Sequence, residues 1–410
     1  MMFNTVFYII IIFIVFDFIL DRYLAYLNSK TRKATLPDEL RGIYDEEKYA
    51  KSIAYEKENA RFELITGSFD FVLILAMLFF GGFAWVDAIA GYFTENPIFR
   101  GLLFFLILGL ASDLIHMPFS IYDTFVIEQK FGFNKTTPKL YVLDKLKGWL
   151  LALILGGGLG FLILWFYYKT TTMFWIYAWI LTSVFTLFFT MFYSNIIVPL
   201  FNKQEPLPEG ELKDEINNFA SKVEFKLKNI FSMDGSKRSS KANAYFTGIG
   251  AKKRIVLFDT LIKELSVKEI VAVLAHEIGH YKHKHTSQGI IISLVQMGLT
   301  FFLLSIFLSE PSLSQALGVS TPSFHIGIIA FGVLYSPFSL IIGLLMNMLS
   351  RKNEYQADNY AKTNYESEAL ISALKKLSVN NLSNLTPHPT YVFFHYSHPT
   401  LLQRIRALRK

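Results

Sequence analysis

The sequence predicts a mainly α-helical polytopic membrane protein with seven transmembrane helices and a polar domain that contains a small β-sheet. Hydrophobic residues make up 52% of the 410-residue chain and charged residues only 18%, whereas a soluble globular chain carries about 25% charged residues. Glycine runs at 81–82 and 156–158 would permit close helix approach or bending. Seven apolar segments have about the 20 residues that cross a bilayer: 3–20, 69–93, 99–119, 149–168, 173–198, 288–309 and 323–349.

Basic residues predict how the chain is oriented in the membrane. Of the 40 Lys and Arg residues, 38 fall in four segments, 21–68, 120–148, 199–287 and 350–410, and seven spans place all four on one side. By the positive-inside rule that side is the cytoplasm, so the N-terminus is extracytoplasmic. The net charge of +7 is therefore attributed to topology. We expect a lipid bilayer as the surroundings and no nucleic-acid partner, because the chain has no basic and aromatic nucleic-acid module.

The polar segments 199–287 and 350–410 are each too small for a comfortable core of their own, so we expect them to pack as one cytoplasmic domain. Spans 288–309 and 323–349 connect them, which divides the chain into an N-terminal membrane region, 1–198, and a C-terminal region, 199–410. Residue patterns predict the elements of this domain. They are a helix over Glu211–Lys228, strands over Ala244–Phe246 and Arg254–Phe258 around a turn at Gly248–Gly250, helices over 346–363 and 366–380, and a closing helix after Pro399.

The stretch His276-Glu277-Ile278-Gly279-His280 indicates a metal site. Two histidines four residues apart on a helix share one face, so both imidazoles can reach one Zn²⁺, and the glutamate lies beside the water that the metal activates. Ser266 and Glu269 form a capping box ahead of an apolar helical pattern, which favours a helix over a chance match. The absence of cysteine excludes Cys ligands and a thiol nucleophile. These residues predict a zinc hydrolase.

A catalytic zinc site needs a third protein ligand and leaves one position open for water. The zinc enzymes that carry a third histidine at the end of an extended motif are excluded, because Thr286 occupies that position. We expect His283 and His285 to be surface or membrane-interface residues, because three ligands along one straight helix would span about 10 Å. Glu354 is the best candidate, with Asp358 one turn later accepting the free N–H of a ligating histidine. The alternative is an ordinary solvated Glu–Asp helix face.

Several motifs together resemble those of a known family, the M48 zinc metalloproteases, and within it the CAAX prenyl protease type 1 (Ste24-like) branch. The resemblance extends over nearly the whole chain. The H-E-x-x-H motif alone would indicate only a zincin, whereas the whole set in this order is specific to the branch. The segments that carry it are His276–His280, Glu354–Asp358, Phe125–Lys135, Asp234–Ser240 leading into Asn243–Phe246, and His395–Pro399.

The resemblance implies seven helices that enclose a large intramembrane chamber, with a zincin-type catalytic domain closing its cytoplasmic side. It implies one Zn²⁺ per chain held by His276, His280 and Glu354, with Glu277 as the general base. The implied peptide or protein substrate is a prenylated CAAX protein, from which the last three residues are cut. The implied substrate-binding edge strand begins at Asn243 and continues through Ala244, Tyr245 and Phe246, and His398 lies near the metal, where it stabilises the oxyanion.

Alternative interpretations stay open for some residues and for the substrate. From the residues alone, Asn243 is equally typical of a turn, and His398 is equally typical of the residue before a helix that starts at Pro399. Lys241 stands where members of the family often have a polar residue or His, so the substrate specificity of the family's cleft is less readily carried over to this chain. The enzyme could instead serve membrane-protein quality control, or the chain could be a transporter or chaperone with a non-catalytic zinc site. Glu277 favours the protease, because a structural zinc site has no use for a carboxylate base.

Overall fold

Helices make up most of the computed structural model, which describes residues 4–32, 36, 40, 45–227, 229–247 and 254–410. The first half of the chain contains α1 (Thr5–Lys30), α2 (Glu46–Phe79), α3 (Gly82–Phe93), α4 (Pro97–Tyr122), α5 (Pro138–Leu151), α6 (Gly157–Thr170), α7 (Phe174–Ile196) and α8 (Val198–Phe201). The second half contains α9 (Glu211–Lys222), α10 (Asp259–Glu264), α11 (Val267–Lys282), α12 (His285–Phe307), α13 (Pro311–Ala316), α14 (Phe324–Leu334), α15 (Ser336–Asn364), α16 (Ser367–Asn380), α17 (Pro389–His395) and α18 (Leu401–Arg409). The four strands are β1 (Gln204–Pro206), β2 (Asn229–Met233), β3 (Ala244–Thr247) and β4 (Arg254–Phe258).

Several of these helices are suited to cross a membrane. Among the described residues, four helical stretches are long and apolar enough: Glu46–Phe79, Pro97–Glu128, Pro138–Phe201 and His285–Phe307. Helices α14 and α15, bent by 55°, add a fifth if they form one span. The 64-residue stretch Pro138–Phe201 would be about 96 Å long if straight, three times the bilayer core. It folds back at Thr171–Met173, where α6 packs on α7. A multi-pass membrane region is confirmed, and the number seven stays a prediction.

The predicted span 69–93 is not one continuous helix. Helix α2 ends at Phe79 and α3 begins at Gly82, because Gly81 adopts a left-handed conformation with a φ of 69°. Glycine reaches that conformation without the steric cost of a Cβ. The second glycine run does not bring described helices close together, because a Cβ added at Gly156, Gly157 or Gly158 would meet no atom of the described residues within 4 Å. There a π-helical turn, Ala152–Gly156, joins α5 to α6.

A mixed four-stranded sheet lies in the polar domain, with the strand order β1-β2-β4-β3. Strands β2 and β4 are parallel, and the outer strands β1 and β3 are each antiparallel to their neighbour. The sequence-predicted strands correspond to β3 and β4, whereas β1 and β2 were not predicted. The predicted helix Glu211–Lys228 ends earlier, at Lys222. Lys228 and the predicted turn Gly248–Gly250 lie outside the described residues. Strand β3 therefore forms one edge of the sheet among the described residues.

Two large hydrophobic cores organise the described part of the chain, beside a small cluster of Val198, Met233 and Val256. One lies among the membrane helices and includes Phe104 and Phe174. The other lies in the polar domain and combines Leu274 of α11 with Ala361 and Leu370, so segments 199–287 and 350–410 pack together. This second core also takes in residues of two loops that the sequence analysis did not assign to the domain: Leu40, Ile127, Phe131 and Phe133.

Helices α11 and α15 carry the candidate metal ligands and pack closely against each other. Helix α11 begins with the predicted capping box of Ser266 and Glu269, in which each side chain bonds the other's backbone N–H. Gly279 allows the close approach, because a Cβ there would lie 3.0 Å from the Cα of Ala357 on α15. The predicted helix 346–363 is the C-terminal part of the longer α15, and α16 and α18 lie close to their predicted positions.

Candidate metal centre

Helix α11 presents two imidazoles to one point, as the spacing of the motif predicts. The Nε2 atoms of His276 and His280 are 3.2 Å apart, and their rings are nearly perpendicular. His276 is buried and His280 is half-buried. Both rings direct the same nitrogen toward a shared position.

The third candidate ligand, Glu354, comes from α15 and completes a triangle. Its Oε1 lies 3.2 Å from His280 Nε2, and its Oε2 lies 3.5 Å from His276 Nε2. With zinc bonds near 2.0–2.1 Å, the ligand atoms of a tetrahedral site stand about 3.3 Å apart. Glu354 is 3% exposed, and its Oε2 is buried without a hydrogen-bond partner. Arg404 Nη1 lies 3.5 Å from this oxygen, but a buried carboxylate oxygen without a hydrogen bond is still costly, and a metal ion at the centre of the triangle would satisfy it. The donor set fits zinc.

Asp358 lies behind His276, on the side of the ring that faces away from the triangle. Its Oδ1 is 2.9 Å from His276 Nδ1, so it can accept the ring N–H that faces away from the triangle. Arg404 of α18 holds the same carboxylate through two hydrogen bonds, Nε to Oδ2 at 2.9 Å and an Nη to Oδ1 at 2.6 Å. Arg404 is not among the sequence-predicted site residues, because nothing in the sequence separates it from the other basic residues of α18. A capping box formed by Thr400 and Gln403 starts that helix.

His280 has a different partner behind it. His285, the first residue of α12, places its Nδ1 3.0 Å from His280 Nδ1, and its Nε2 lies 2.8 Å from Oε1 of Gln356. His285 is only 8% exposed, so its expected placement at the surface is wrong. The expectation of an exposed side chain holds for His283. The two differ because Lys284, with a left-handed φ of 60°, ends the straight helical path and turns His285 inward.

Glu277 and His398 face a cavity of about 410 Å³ beside the triangle. His280 and Glu354 line the same cavity, together with residues of α12 and α15. The Nδ1 of His398 lies 3.0 Å from Glu354 Oε1, and its side chain is 63% exposed. His398 therefore contacts a candidate ligand directly while remaining reachable from the cavity.

Charge pairing decides the ionisation of the buried carboxylates, both of which lie beyond the apolar part of α15. Burial raises the pKa of Glu354, but hydrogen bonds with two histidines and nearby positive charge outweigh it, so the pKa is lowered. For Asp358, burial is likewise outweighed by His276 and Arg404, and its pKa is lowered. The hydrogen bond with Glu354 raises the pKa of His398. Both carboxylates are thus ionised at neutral pH.

Strand β3 runs past Glu277 at the edge of the sheet. Ala244 and Tyr245 line a small cavity with Glu277, which also lines the cavity beside the triangle. Asn243 is exposed just before the strand, where its side-chain oxygen accepts from the backbone N–H of Ala244 at 2.8 Å. Phe246 belongs to the strand, opposite Ile255 of β4. The four predicted substrate-binding residues are therefore contiguous along one edge.

Lys241 anchors the segment that leads into β3. Its Nζ lies 2.8 Å from Glu128 Oε2 and donates to the Tyr55 hydroxyl at 3.0 Å, while the ammonium lies 4.4 Å from the centre of the Phe133 ring. Tyr55 also donates to Glu128. Two motifs of the resemblance, 125–135 and 234–240, meet here through a backbone bridge between Asn134 and Ser239. The N-terminal loops therefore position the edge strand.

Comparison with known proteins identifies the family. A family model described as "Peptidase family M48" matches residues 206–410, which include every candidate site residue. A second, described as "CAAX prenyl protease N-terminal, five membrane helices", matches residues 25–203. The chain belongs to peptidase family M48.

Full-length relatives agree with this assignment to M48. The CAAX prenyl protease 1 homolog of Arabidopsis thaliana is 37% identical over 408 residues, which cover 97% of this chain and 96% of that protein. CAAX prenyl protease 1 of Saccharomyces cerevisiae is 36% identical, with 97% and 93% covered. The crystal structure of S. mikatae Ste24p superposes with a TM-score of 0.93 at 36% identity and covers 99% of both chains. The protein is thus a membrane metalloprotease with the Ste24p fold.

Proposed function

We propose that this M48 protein is a zinc metalloendopeptidase that cuts near the C-terminus of prenylated CAAX proteins. The observation that carries the hydrolytic mechanism is the triangle of His276, His280 and Glu354, whose facing ligand atoms are 3.2–3.5 Å apart and which opens on a cavity lined by Glu277. The substrate class is supported by the relatives, which are named CAAX prenyl protease 1 or its homologs.

The triangle would hold one Zn²⁺ per chain, with Asp358 orienting His276. Bound there, zinc would supply Lewis acidity, which lowers the pKa of a water molecule and polarises the scissile carbonyl. Glu277 takes the proton of the attacking water on its carboxylate and passes it to the leaving amine. His398 donates its Nδ1–H to the Glu354 carboxylate, a contact that raises its pKa and favours the doubly protonated ring. In that form its Nε2–H is the donor that can stabilise the negative oxygen of the tetrahedral intermediate.

The substrate peptide binds as an additional strand on β3. An exposed sheet edge offers backbone N–H and C=O groups to an extended peptide, and the edge formed by Asn243, Ala244, Tyr245 and Phe246 lies next to Glu277. Pairing there would lay the scissile bond across the cleft that leads to the triangle. The register of the added strand then decides which bond meets the base.

The membrane arrangement proposed with this function has seven spans around a chamber, an extracytoplasmic N-terminus, and the catalytic segments and C-terminus in the cytoplasm. The match to a family model that refers to five membrane helices supports a multi-pass N-terminal region, and α12 and the bent pair α14–α15 correspond to the last two proposed spans. The division into regions 1–198 and 199–410 follows the same scheme. The clustering of 38 basic residues in four segments supports the orientation.

A peptidase assay in detergent tests the proposal with a farnesylated CAAX peptide and its unprenylated twin. We expect cleavage of the farnesylated peptide, a higher kcat/KM for it than for the twin, and loss of cleavage with a zinc chelator. The Glu354→Ala variant should lose both zinc and activity, whereas Glu310→Ala, far along the chain in the 310–322 loop, serves as the matched control. Equal cleavage of both peptides would favour the quality-control alternative, and chelator-resistant cleavage would contradict the zinc mechanism.

A further inference from the structure

His285 stands behind a metal ligand of the proposed zinc site, in a place that the hydrolytic mechanism does not use. It is buried, and its two ring nitrogens contact different groups: Nδ1 lies 3.0 Å from His280 Nδ1, and Nε2 lies 2.8 Å from Oε1 of Gln356. Gln356 is two residues beyond Glu354 on α15. One polar chain therefore joins a ligand on α11 to the helix that carries another ligand.

The direction of the hydrogen bonds in this chain decides whether His280 can bind zinc. A neutral imidazole has one N–H, and the nitrogen without the proton is the one that accepts a hydrogen bond or binds a metal. If the Gln356 oxygen accepts from His285 Nε2, then His285 Nδ1 is free to accept from His280 Nδ1. His280 Nε2, which faces His276 and Glu354, is then left with its lone pair.

The opposite direction would disable the ligand. If the Gln356 amide donated to His285 Nε2, the single proton of His285 would sit on Nδ1 and donate to His280. The proton of His280 would then sit on Nε2 and point into the triangle. The two arrangements differ in which Gln356 atom faces His285 Nε2, and the structure places the side-chain oxygen there.

The two histidine ligands thus differ in what orients them. Behind His276 lies the carboxylate of Asp358, which when ionised can only accept and so leaves one direction open. Behind His280 lies a neutral chain, whose direction is set by the Gln356 oxygen because an amide oxygen can only accept. A ligating histidine almost always donates its other N–H to a carboxylate, backbone carbonyl or water, and here a second imidazole takes that place.

We infer that His285 and Gln356 form a directional hydrogen-bond relay that holds His280 in the zinc-binding tautomer. This inference rests on the zinc ligands of the proposed function and names two positioning residues for them. The turn at Lys284, with its φ of 60°, is the local feature that brings His285 into the relay. The exposed neighbour His283, whose ring stacks on His285 at 5.5 Å, is outside the relay.

Zinc affinity of the purified full-length protein in detergent, measured by competition with a chromogenic chelator, tests the relay without relying on activity. Replacing a partner of this kind costs about 10–100-fold in metal affinity, so His285→Phe should lose that much. Gln356→Leu should shift affinity in the same direction. Gln356→Glu, which can only accept when ionised, should keep wild-type affinity. His283→Phe is the matched control and should be unchanged.

Zinc affinity in His285→Phe equal to that of the wild type would overturn the inference. If His285→Phe does not fold, the comparison of Gln356→Leu with Gln356→Glu tests the inference instead. Equal zinc affinities of these two variants would also overturn it. The Co²⁺-substituted absorption spectrum adds a second readout, which should change in His285→Phe and Gln356→Leu only. If the variants show these zinc affinities but the wild-type protein cleaves no peptide, the proposed function is refuted and the relay is not. If the wild type cleaves peptide and His285→Phe keeps wild-type zinc affinity and activity, the relay is refuted and the proposed function is not.

Discussion

A methyl group at position 279 tests whether the metal site depends on the close approach of α11 to α15. A Cβ on Gly279 would lie 3.0 Å from the Cα of Ala357 and from the Cβ of Tyr360, and 3.1 Å from the Ala357 carbonyl oxygen. Carbon atoms pack best at about 3.5–4.0 Å. In Gly279→Ala the helices must therefore separate locally by roughly 0.5 Å, because none of these atoms can rotate away.

The magnitude follows from where the contact lies. Gly279 directly precedes His280, and Ala357 is three residues beyond Glu354, so the separation acts on the ligand spacing. Overpacking of this kind costs about 1–3 kcal/mol, and distances in a metal site tolerate only about 0.2 Å of change. If zinc binding must restore the native spacing against that cost, the affinity falls by about 5–150-fold.

Chelator competition measures the zinc affinity, and thermal unfolding with and without zinc measures the stability. Gly343→Ala is the matched control on α15, because within the part of the chain that the structure describes a Cβ there would meet no atom within 4 Å. In that control we expect unchanged zinc affinity and a stability equal to or about 0.5–1 kcal/mol above the wild type. Wild-type zinc affinity in Gly279→Ala would show that the ligand spacing does not depend on this contact and would refute the reasoning.

Three further predictions concern the base, the pH dependence and the topology. Glu277→Gln should keep zinc and fold but lose at least about 100-fold in turnover, and a variant that retained a tenth of wild-type cleavage would exclude Glu277 as the base. Burial raises the pKa of Glu269, but hydrogen bonds from Lys376 and two serines outweigh it, so the pKa is lowered on folding. The ionised Glu269 therefore stabilises the fold above its unfolded pKa of about 4.3, and this stabilisation is lost as the pH falls through the lower folded pKa. The unfolding temperature of Glu269→Gln should therefore fall less between pH 6 and pH 3.5 than that of the wild type, and equal slopes would contradict this. Reporters fused after Glu310 should be extracytoplasmic and those fused after Lys410 cytoplasmic, and an external C-terminus would contradict the span count.

Local sequence patterns predicted structure correctly where a pattern of residues is typical of a single local geometry. The capping box of Ser266 and Glu269 predicted where α11 begins, and the four-residue spacing of His276 and His280 predicted their shared face. Patterns of apolar residues failed where geometry depends on the backbone of single residues. Gly81 interrupts the apolar segment 69–93, which was predicted as one helix. Lys284 turns His285 into the interior, although the polar residues around His285 predict an exposed side chain.

The sequence by itself determined the class of the protein and its candidate ligands, because hydropathy, motif spacing and helical periodicity are local properties. It also indicated Glu354 and Asp358, because a shared helical face needs no knowledge of the fold. Only the tertiary structure decided the groups behind the ligands: Arg404 on Asp358, His285 and Gln356 on His280, and Lys241 on the loops before β3. These contacts join residues far apart along the chain or across a helix break. Their partners are set by how α11, α12, α15 and α18 pack, which no local pattern encodes.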